Sequence, residues 1–420
     1  MITATAVGKF SPSAIPEDSC FAALRSRGYR IYLLGQSLAN AGTWMQSIAQ
    51  DWLVLRLTNS ATAVGLTMAF QFLPILLLGV HGGLLADRLP KRRVLLATQS
   101  ANAVLAATLA ALTISAEINV TQVYAFALLS GLVFVVDAPT RQAFVSEVVS
   151  PQQLRGAVSL NAAVFQSTRL VGPALAGLLI ETAGTGWAFA ANALCYLGPT
   201  VGLLRLRGTD LRPAVPAPRE ADAVRAALRY VRARPRVACA ILLVGVVGTL
   251  GLNYPVVLTA MASTTFHGGA GKYAVFNIAL AIGSVCGALL AAAGMHTRLR
   301  LIVLTAALFG LAQVCAAAAP DLAAFLALLL LMGLTNVAFQ AIANSSVQMW
   351  VEPAMRGRVM GLYMLVFAGG TPVGAPIIGA VTNSFGPRVG MAVCGLAPMI
   401  AAIAVVLVKL RAARLYPVSL

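Results

Sequence analysis

Four ionisable side chains stand in otherwise apolar stretches of the chain and could carry proton or anion chemistry: Asp51, Asp137, Arg141 and Arg169. A charge within an apolar helix is costly, so it usually faces a protein interior and has a partner. Asp137 and Arg141 are one helical turn apart and could pair. One interpretation is a structural ion network that pins the fourth and fifth helices together. The other is that Asp137 or Asp51 exchanges a proton, while Arg169 tunes its proton affinity or meets an anionic substrate.

Two series of polar residues are spaced by three or four positions, so each series lies on one face of a helix. The first comprises Gln36, Asn40, Thr43, Ser47 and Gln50, with Trp44 beside it, and the second comprises Asn336, Gln340, Asn344 and Gln348. A polar stripe that faced lipid would be unfavourable, so both faces are expected to line a central cavity. Hydrogen bonds between helices are the alternative. Asp51 follows the first stripe and either joins this cavity or reaches water at the outer surface.

The elements that hold these residues are predicted to be membrane helices. Hydrophobic residues make up 59% of the chain and charged residues 10%, whereas soluble proteins carry about 25% charged residues. A membrane-spanning helix needs about 20 mostly apolar residues. The apolar runs of this chain reach that length and are too long for the strands of a membrane barrel. We therefore predict an all-α membrane protein with twelve transmembrane helices. They cover residues 29–56, 60–86, 92–115, 121–147, 153–181, 185–206, 237–264, 270–295, 299–318, 322–350, 355–383 and 387–410.

The chain repeats itself after about half its length. Glycines recur about 202 residues apart, as the pairs Gly131 and Gly333, Gly172 and Gly374, Gly177 and Gly379, and Gly184 and Gly386. A duplicated apolar unit indicates two six-helix bundles related by pseudo-two-fold symmetry around a central site. The bundles are expected over 29–206 and 236–410, with a cytoplasmic N-terminus over 1–28, a linker over 207–235 and a tail over 411–420. Several of these glycines, with Pro173 and Pro376, are expected to allow close helix contact and local bending.

The charges do not follow this repeat. Asp51 corresponds to Asn253, Asp137 to Phe339, Arg141 to Ala343 and Arg169 to Thr371. The repeated glycines and prolines shape helix contacts, so they predict a shared scaffold. The first half is then expected to carry any proton coupling, and the second half to supply mainly a neutral wall of the cavity.

The net charge of +17 is concentrated in alternate loops, in the linker and at both ends. This is the positive-inside pattern, and it predicts a multi-pass protein with both termini and the linker in the cytoplasm. The distribution argues against nucleic-acid binding and favours contact with membrane lipids. Glu220 to Arg234 predicts an amphipathic helix on the cytoplasmic membrane surface, with Leu228 and Val231 on its apolar face. Abundant alanine and an excess of arginine over lysine indicate a bacterial genome, hence a bacterial plasma membrane.

The strongest local motif is the loop after the second predicted span. Its members are Gly83, Asp87, Arg88, Lys91, Arg92 and Arg93. Asp87 could reach the positive end of a neighbouring helix dipole, and the cations could pair with carboxylates or lipid phosphates. Such contacts can hold one conformation shut, as a cytoplasmic gate. The alternative is a basic loop that only sets topology.

This loop resembles the signature of the major facilitator superfamily, with Pro90 where the family has glycine. Three further stretches are similar to its enterobactin-exporter-like and macrolide-efflux-like branch, sometimes labelled transmembrane secretion effectors: residues 35–53, 137–143 and 160–177. The resemblance implies proton-driven export of a small amphipathic molecule, such as a siderophore, a macrolide or another drug, by alternating access. A monomer is expected. The fourth span carries Ala127 and Leu128 where many proton antiporters of the superfamily carry an arginine.

Two other functions remain open from the residues alone: an importer of the same fold, and a membrane sensor or assembly factor that does not transport. An intramembrane enzyme is not predicted. The sequence has no metal-ligand cluster of histidine and aspartate, no Gly-x-Ser-x-Gly elbow and no Walker loop. We therefore expect no catalytic residue, metal or cofactor.

Overall fold

The computed structural model describes residues 22–150, 152–206, 223–292 and 298–415. Sixteen α-helices and no strand lie within these residues. The helices are α1 (Arg27–Thr58), α2 (Ala61–Arg88), α3 (Lys91–Ile114), α4 (Val120–Val148), α5 (Leu154–Thr182), α6 (Thr185–Cys195), α7 (Leu197–Arg205), α8 (Ala223–Arg232), α9 (Pro235–Thr249), α10 (Tyr254–Ala260), α11 (Ala270–Ala292), α12 (Leu299–Ala317), α13 (Leu322–Trp350), α14 (Pro353–Gly369), α15 (Thr371–Phe385) and α16 (Pro387–Leu415). The prediction of an all-helical chain is confirmed.

Three of the predicted spans are each formed by two consecutive helices. The breaks fall at Tyr196 between α6 and α7, at a 3₁₀ turn over Gly251–Asn253 between α9 and α10, and at Gly370 between α14 and α15. A proline follows each break within three residues, at 199, 255 and 372. Proline has no backbone N–H and crowds the preceding turn, so helical hydrogen bonding is interrupted there.

Eleven helical segments among the described residues are long and apolar enough to cross a membrane, against twelve predicted spans. The missing segment is α1, which has the length, at 32 residues, but not the hydropathy. Its mean hydropathy is lowered by the polar stripe of its own sequence. A helix can carry such a stripe in a membrane where that face lies against protein or a water-filled cavity.

Helix packing repeats between the two halves of the chain. Within the first half α4 packs on α2, and within the second half α13 packs on α11. A repeated glycine lies at each contact. A Cβ on Gly131 would meet the carbonyl oxygen of Gln71 at 2.1 Å, and a Cβ on Gly333 would meet the carbonyl oxygen of Leu280 at 2.0 Å, so only glycine allows the helices to approach this closely. Contact between the halves runs through α2 against α15 and α5 against α11.

The turn before the last span of each half is also repeated. Gly184, between α5 and α6, has φ of 95°, and Gly386, between α15 and α16, has φ of 88°. Side chains other than hydrogen are strained in this left-handed region. Glycine at these two positions therefore lets each helical hairpin reverse direction in the same way.

The helix of the linker packs against the second half. Helix α8 contacts α14 and α9, and Arg234 pairs with Glu352 at the start of α14. The hydroxyl of Tyr230 accepts a hydrogen bond from the backbone N–H of Glu352 at 3.1 Å. Val231 is buried, as its place on the predicted apolar face requires, whereas Leu228 is 39% exposed. The exposed Leu228 is compatible with the predicted membrane-surface position, which stays a prediction.

Candidate functional site

A large cavity lies between the two halves of the chain. Its volume is about 1750 Å³, and it is lined by α1, α2, α3, α4 and α5 from the first half and by α10, α11, α13 and α14 from the second. Arg225 and Gly361, which are both exposed, line the end beside the linker, so this end opens to the surface. Buried Asp51 and Tyr273 line the opposite end.

Most of the two polar stripes faces this cavity. The lining includes Asn40, Thr43, Trp44, Ser47, Gln50, Asn336 and Gln340. Gln36 and Asn344 were also expected to line it, and both lie outside the lining. Gln36 is buried and donates to Asn40 Oδ1, one turn along α1, at 3.1 Å. Asn344 accepts a hydrogen bond from the exposed Gln348. Both stripes are thus longer than the cavity, and their ends are satisfied within the helix.

Asp137 lies at the centre of a buried network within the first half. Its side chain is 1% exposed and pairs with Arg141 one turn along α4. From α3, Thr98 Oγ1 donates to Asp137 Oδ1 at 2.6 Å and Gln99 Nε2 donates to the same oxygen at 3.0 Å. Arg141 also reaches Asn40 Oδ1 on α1 at 3.5 Å. The carboxylate therefore joins α3, α4 and α1, with donors on both of its oxygens.

Removing one member of this pair is expected to destabilise the protein more than removing both. Asp137→Asn leaves the Arg141 cation without its counter-charge, at a cost of roughly 3 kcal/mol for a largely buried pair. Asp137→Asn combined with Arg141→Met should recover most of that loss, because no unpaired charge remains. The measurement is the melting temperature of the purified protein in detergent for both single variants and the double variant. Equal losses in the single and double variants would contradict a stabilising ion pair.

Asp51 joins the two halves at the closed end of the cavity. Its side chain is 5% exposed, and Asp51 Oδ2 accepts a hydrogen bond of 2.8 Å from the hydroxyl of Tyr273 on α11. The alternative in which Asp51 reaches water at the outer surface is therefore wrong for this conformation, because α11 covers it. Unlike Asp137, this carboxylate has no cation beside it among the described residues.

Arg169 faces the cavity from α5 and contacts the second half. Its Nη2 donates to the hydroxyl of Tyr254 on α10 at 3.1 Å, and its Cζ lies 5.4 Å from the ring centroid of Trp44. The expected ion network joining the fourth and fifth spans does not form, because the Arg169 guanidinium turns away from Asp137 towards Tyr254. Only the Asp137–Arg141 part of that expectation is present.

The basic loop after α2 makes contacts within the first half. Lys91 Nζ pairs with Glu147 Oε1 at the end of α4, at 2.6 Å. Arg92 donates from Nε to the carbonyl oxygen of Leu203 at 2.8 Å and from Nη2 to that of Leu204 at 3.1 Å. A cation at these last carbonyls of α7 complements the negative end of the helix dipole.

The remaining members of the predicted gate are less informative. Arg88 and Arg93 are exposed. The packing around Gly83 and the side chain of Asp87 lie outside what the structure describes, so the gate role of this loop stays a prediction.

The repeated glycine and proline motifs lie at equivalent helix contacts. A Cβ on Gly172 would meet that of Trp44 on α1 at 2.5 Å, and one on Gly374 would meet the carbonyl oxygen of Thr249 on α9 at 1.4 Å. Each of these glycines thus touches the first span of its own half.

The second glycine of each motif touches the other half. A Cβ on Gly177 would lie 2.5 Å from that of Ala274 on α11, and one on Gly379 would lie 2.7 Å from the carbonyl oxygen of Ala61 on α2. Of the accompanying prolines, Pro173 lines the cavity and Pro376 lies beside Gly65 of α2. The motifs therefore lie at helix contacts within each half, at contacts between the halves and, through Pro173, at the cavity wall.

Sequence reasoning missed the partners of these charged residues. Thr98, Gln99 and Tyr273 carry no pattern that links them to an aspartate, and Glu147 stands among hydrophobic residues near a helix end. Glu147 is nevertheless one of only 13 acidic residues in the chain. That scarcity could have marked it as a partner for the basic loop.

The chain was compared with known families and proteins. The profile of the transmembrane secretion effector family matches residues 18–416. The multidrug efflux pump Tap of Mycolicibacterium fortuitum is 29% identical over 86% of this chain and 90% of that protein. The enterobactin exporter EntS of Citrobacter koseri is 23% identical over 87% of this chain and 88% of that protein.

Two further matches are narrower in what they show. The staphyloferrin A transporter of Staphylococcus aureus is 32% identical, but over only 37% of this chain and 39% of that protein. Among solved structures, a bacterial homologue of the human lysosomal transporter Spinster, inward-facing and unoccupied, superposes with a TM-score of 0.73. That match covers 94% of this chain and 97% of the other at 12% identity, so it concerns the fold alone.

Proposed function

Because the chain belongs to the transmembrane secretion effector family of major facilitator transporters, we propose that it is a proton-coupled exporter of a small amphipathic molecule. It is an integral membrane protein and a transporter, not an enzyme. In alternating access, two helix bundles rock around a central site that opens to one side of the membrane at a time. The cavity between the halves is that site in this proposal.

The proposed architecture has twelve transmembrane helices in two six-helix bundles. It counts α1 as a span and joins α6 with α7, α9 with α10, and α14 with α15. The repeated glycine contacts and the repeated turns at Gly184 and Gly386 support the pseudo-two-fold relation. The positive-inside distribution of arginine and lysine supports a bacterial plasma membrane protein with both termini and the linker in the cytoplasm.

One observation carries the proposed transport cycle: the cavity opens on the side of the linker and is closed at the other end. With the linker in the cytoplasm, this conformation is open inwards, a state through which exporters and importers both pass. Asp51 and Tyr273 close the outer end. The proposed direction rests on the names of the two relatives that match most of the chain, an enterobactin exporter and a multidrug efflux pump, which support export.

Asp51 is the proposed proton-coupling residue. Asp137 already accepts hydrogen bonds from Thr98 and Gln99 and pairs with Arg141, and all of these contacts lie within the first half. Asp51 has one neutral donor, Tyr273, and this contact crosses between the halves. When the outer end opens, this contact between the halves must break and the surroundings of the carboxylate change. Its protonation can therefore be coupled to the opening.

Flux into reconstituted vesicles tests the proposal, with a panel of siderophores, macrolides and other drugs as probes. An antiporter should accumulate its substrate when the vesicle interior is acidic, because outward proton movement then drives inward substrate movement. Accumulation driven by an alkaline interior would instead support a proton symporter, hence an importer. Binding of a probe without counterflow would support a non-transporting sensor and overturn the transport mechanism.

A further inference from the structure

We propose that the cavity binds an organic anion, whose carboxylate or similar planar oxyanion pairs with Arg169 and whose apolar or aromatic body lies against Trp44 and Tyr254. This inference rests on the proposed transport function, since it names the chemical class of the substrate. It begins from a cation that no carboxylate of the described residues neutralises.

Arg169 has no carboxylate partner within the part of the chain that the structure describes. Its side-chain contacts are the hydroxyl of Tyr254 at 3.1 Å and the ring of Trp44 at 5.4 Å. An intramembrane cation is costly unless it pairs or faces water. A neutral hydroxyl uses one of the five N–H donors of the guanidinium, so the others remain available to an incoming group.

The charges of the whole cavity also favour an anion. Apart from Arg358, which already has interaction partners, three arginines and two aspartates of the described residues line it: Arg141, Arg169, Arg225, Asp51 and Asp137. Both aspartates already accept hydrogen bonds from protein donors. These five side chains carry more positive than negative charge, and neither of the two carboxylates lacks an existing partner.

The neighbours of Arg169 define the rest of the ligand. Trp44 packs against Phe165 with ring centroids 5.6 Å apart, and Tyr254 lies on the opposite half. A guanidinium binds a planar oxyanion through two parallel hydrogen bonds, while flanking rings stack on an aromatic body. The remaining wall is rich in amides such as Gln50 and Asn336, which can donate to further oxygens.

The two sides of the subsite come from different halves of the chain. Arg169 and Trp44 belong to the first half and Tyr254 to the second, and the repeat has Thr371 where the first half has Arg169. An anion bound to Arg169 would compete with or share the Tyr254 hydroxyl. Occupancy would thus alter a contact between the halves, as a transport substrate must.

Matched probes test the charge preference without any flux: naphthoate, its neutral carboxamide and naphthylmethylammonium, each titrated against the full-length protein in lipid nanodiscs. The unaltered protein should bind naphthoate roughly 10-fold more tightly than the carboxamide, as expected for charge-assisted pairing. Arg169→Gln should abolish that difference. Arg169→Lys should keep part of it, and it remains informative if the glutamine variant fails to fold.

Arg229→Gln is the matched control, because Arg229 lies on the same helix as Arg225 at the mouth of the cavity but is exposed and outside the lining. Screening by water should limit its effect to less than about 3-fold. The inference is overturned if the unaltered protein prefers the carboxamide or the ammonium compound, if it binds none of the probes, or if Arg169→Gln keeps the preference for naphthoate. If the unaltered protein prefers naphthoate but transports none of the probe compounds into vesicles, the proposed transport function is overturned and the anion subsite still stands.

Discussion

Asp51→Asn is expected to abolish uphill flux driven by a pH gradient while leaving counterflow exchange close to that of the unaltered protein. Asparagine cannot take up or release a proton, so substrate movement can no longer be tied to proton movement. Its side-chain oxygen can still accept the hydrogen bond that Tyr273 donates at 2.8 Å, so the contact that closes the outer end is retained. The measurement is accumulation of a transported compound in vesicles with an acidic interior, beside exchange at equal pH.

Two variants control this experiment. Tyr273→Phe removes the donor but keeps the titratable carboxylate, so coupling should survive while the outer end opens more readily. The combined Asp137→Asn and Arg141→Met variant removes the other buried aspartate together with its counter-charge and should also remain coupled. Uphill flux that persists in Asp51→Asn would exclude Asp51 as the coupling residue and point first to Asp137.

Gly374→Ala is expected to be the most destabilising single-methyl addition of the repeated glycine motifs. Its Cβ would lie 1.4 Å from the carbonyl oxygen of Thr249 and 2.7 Å from Asn253 Nδ2. Backbone cannot move aside as a side-chain tip can, so α15 must separate from α9. A loss of about 3 kcal/mol is expected for such overpacking, measured as a lower melting temperature and a lower yield of monodisperse protein in detergent.

The same substitution elsewhere supplies a graded series. Gly172→Ala, at the equivalent contact of the first half, meets the Cβ of Trp44 at 2.5 Å and should cost less, because the obstructing atom is in a side chain. Gly361→Ala adds a methyl with nothing within 4 Å and should be neutral or stabilising, by up to about 1 kcal/mol of helix propensity. Similar stability of Gly374→Ala and Gly361→Ala would refute the close contact between α15 and α9.

Local and repeated patterns in the sequence predicted much of the fold. The family resemblance is confirmed by the profile that matches residues 18–416, and the helical spans follow from continuous apolar runs. Six members of the polar stripes line the cavity because helical spacing keeps them on one face. Gln36 and Asn344 share that spacing but lie beyond the cavity, whose depth is set by how the halves pack rather than by either helix.

Contacts distant in the chain could not be foreseen in this way. Tyr273 is 222 residues from Asp51, and Tyr254 is 85 residues from Arg169. No spacing rule relates residues on different helices, so an ion network between the fourth and fifth spans was as reasonable as the contact with Tyr254. The interruption at Gly370 was hidden for a related reason, because the apolar run continues across it and hydropathy does not register a missing backbone hydrogen bond.

An anion bound at Arg169, as proposed, would give transport an electrical consequence. A monovalent anion that leaves the cell in exchange for one entering proton moves two charges in the direction favoured by a negative interior. Each charge contributes about 2.3 kcal/mol for every 100 mV across the membrane. Membrane voltage alone could then sustain export when the pH is equal on both sides. The ratio of outside to inside anion concentration would then depend more on the membrane voltage than on the external pH.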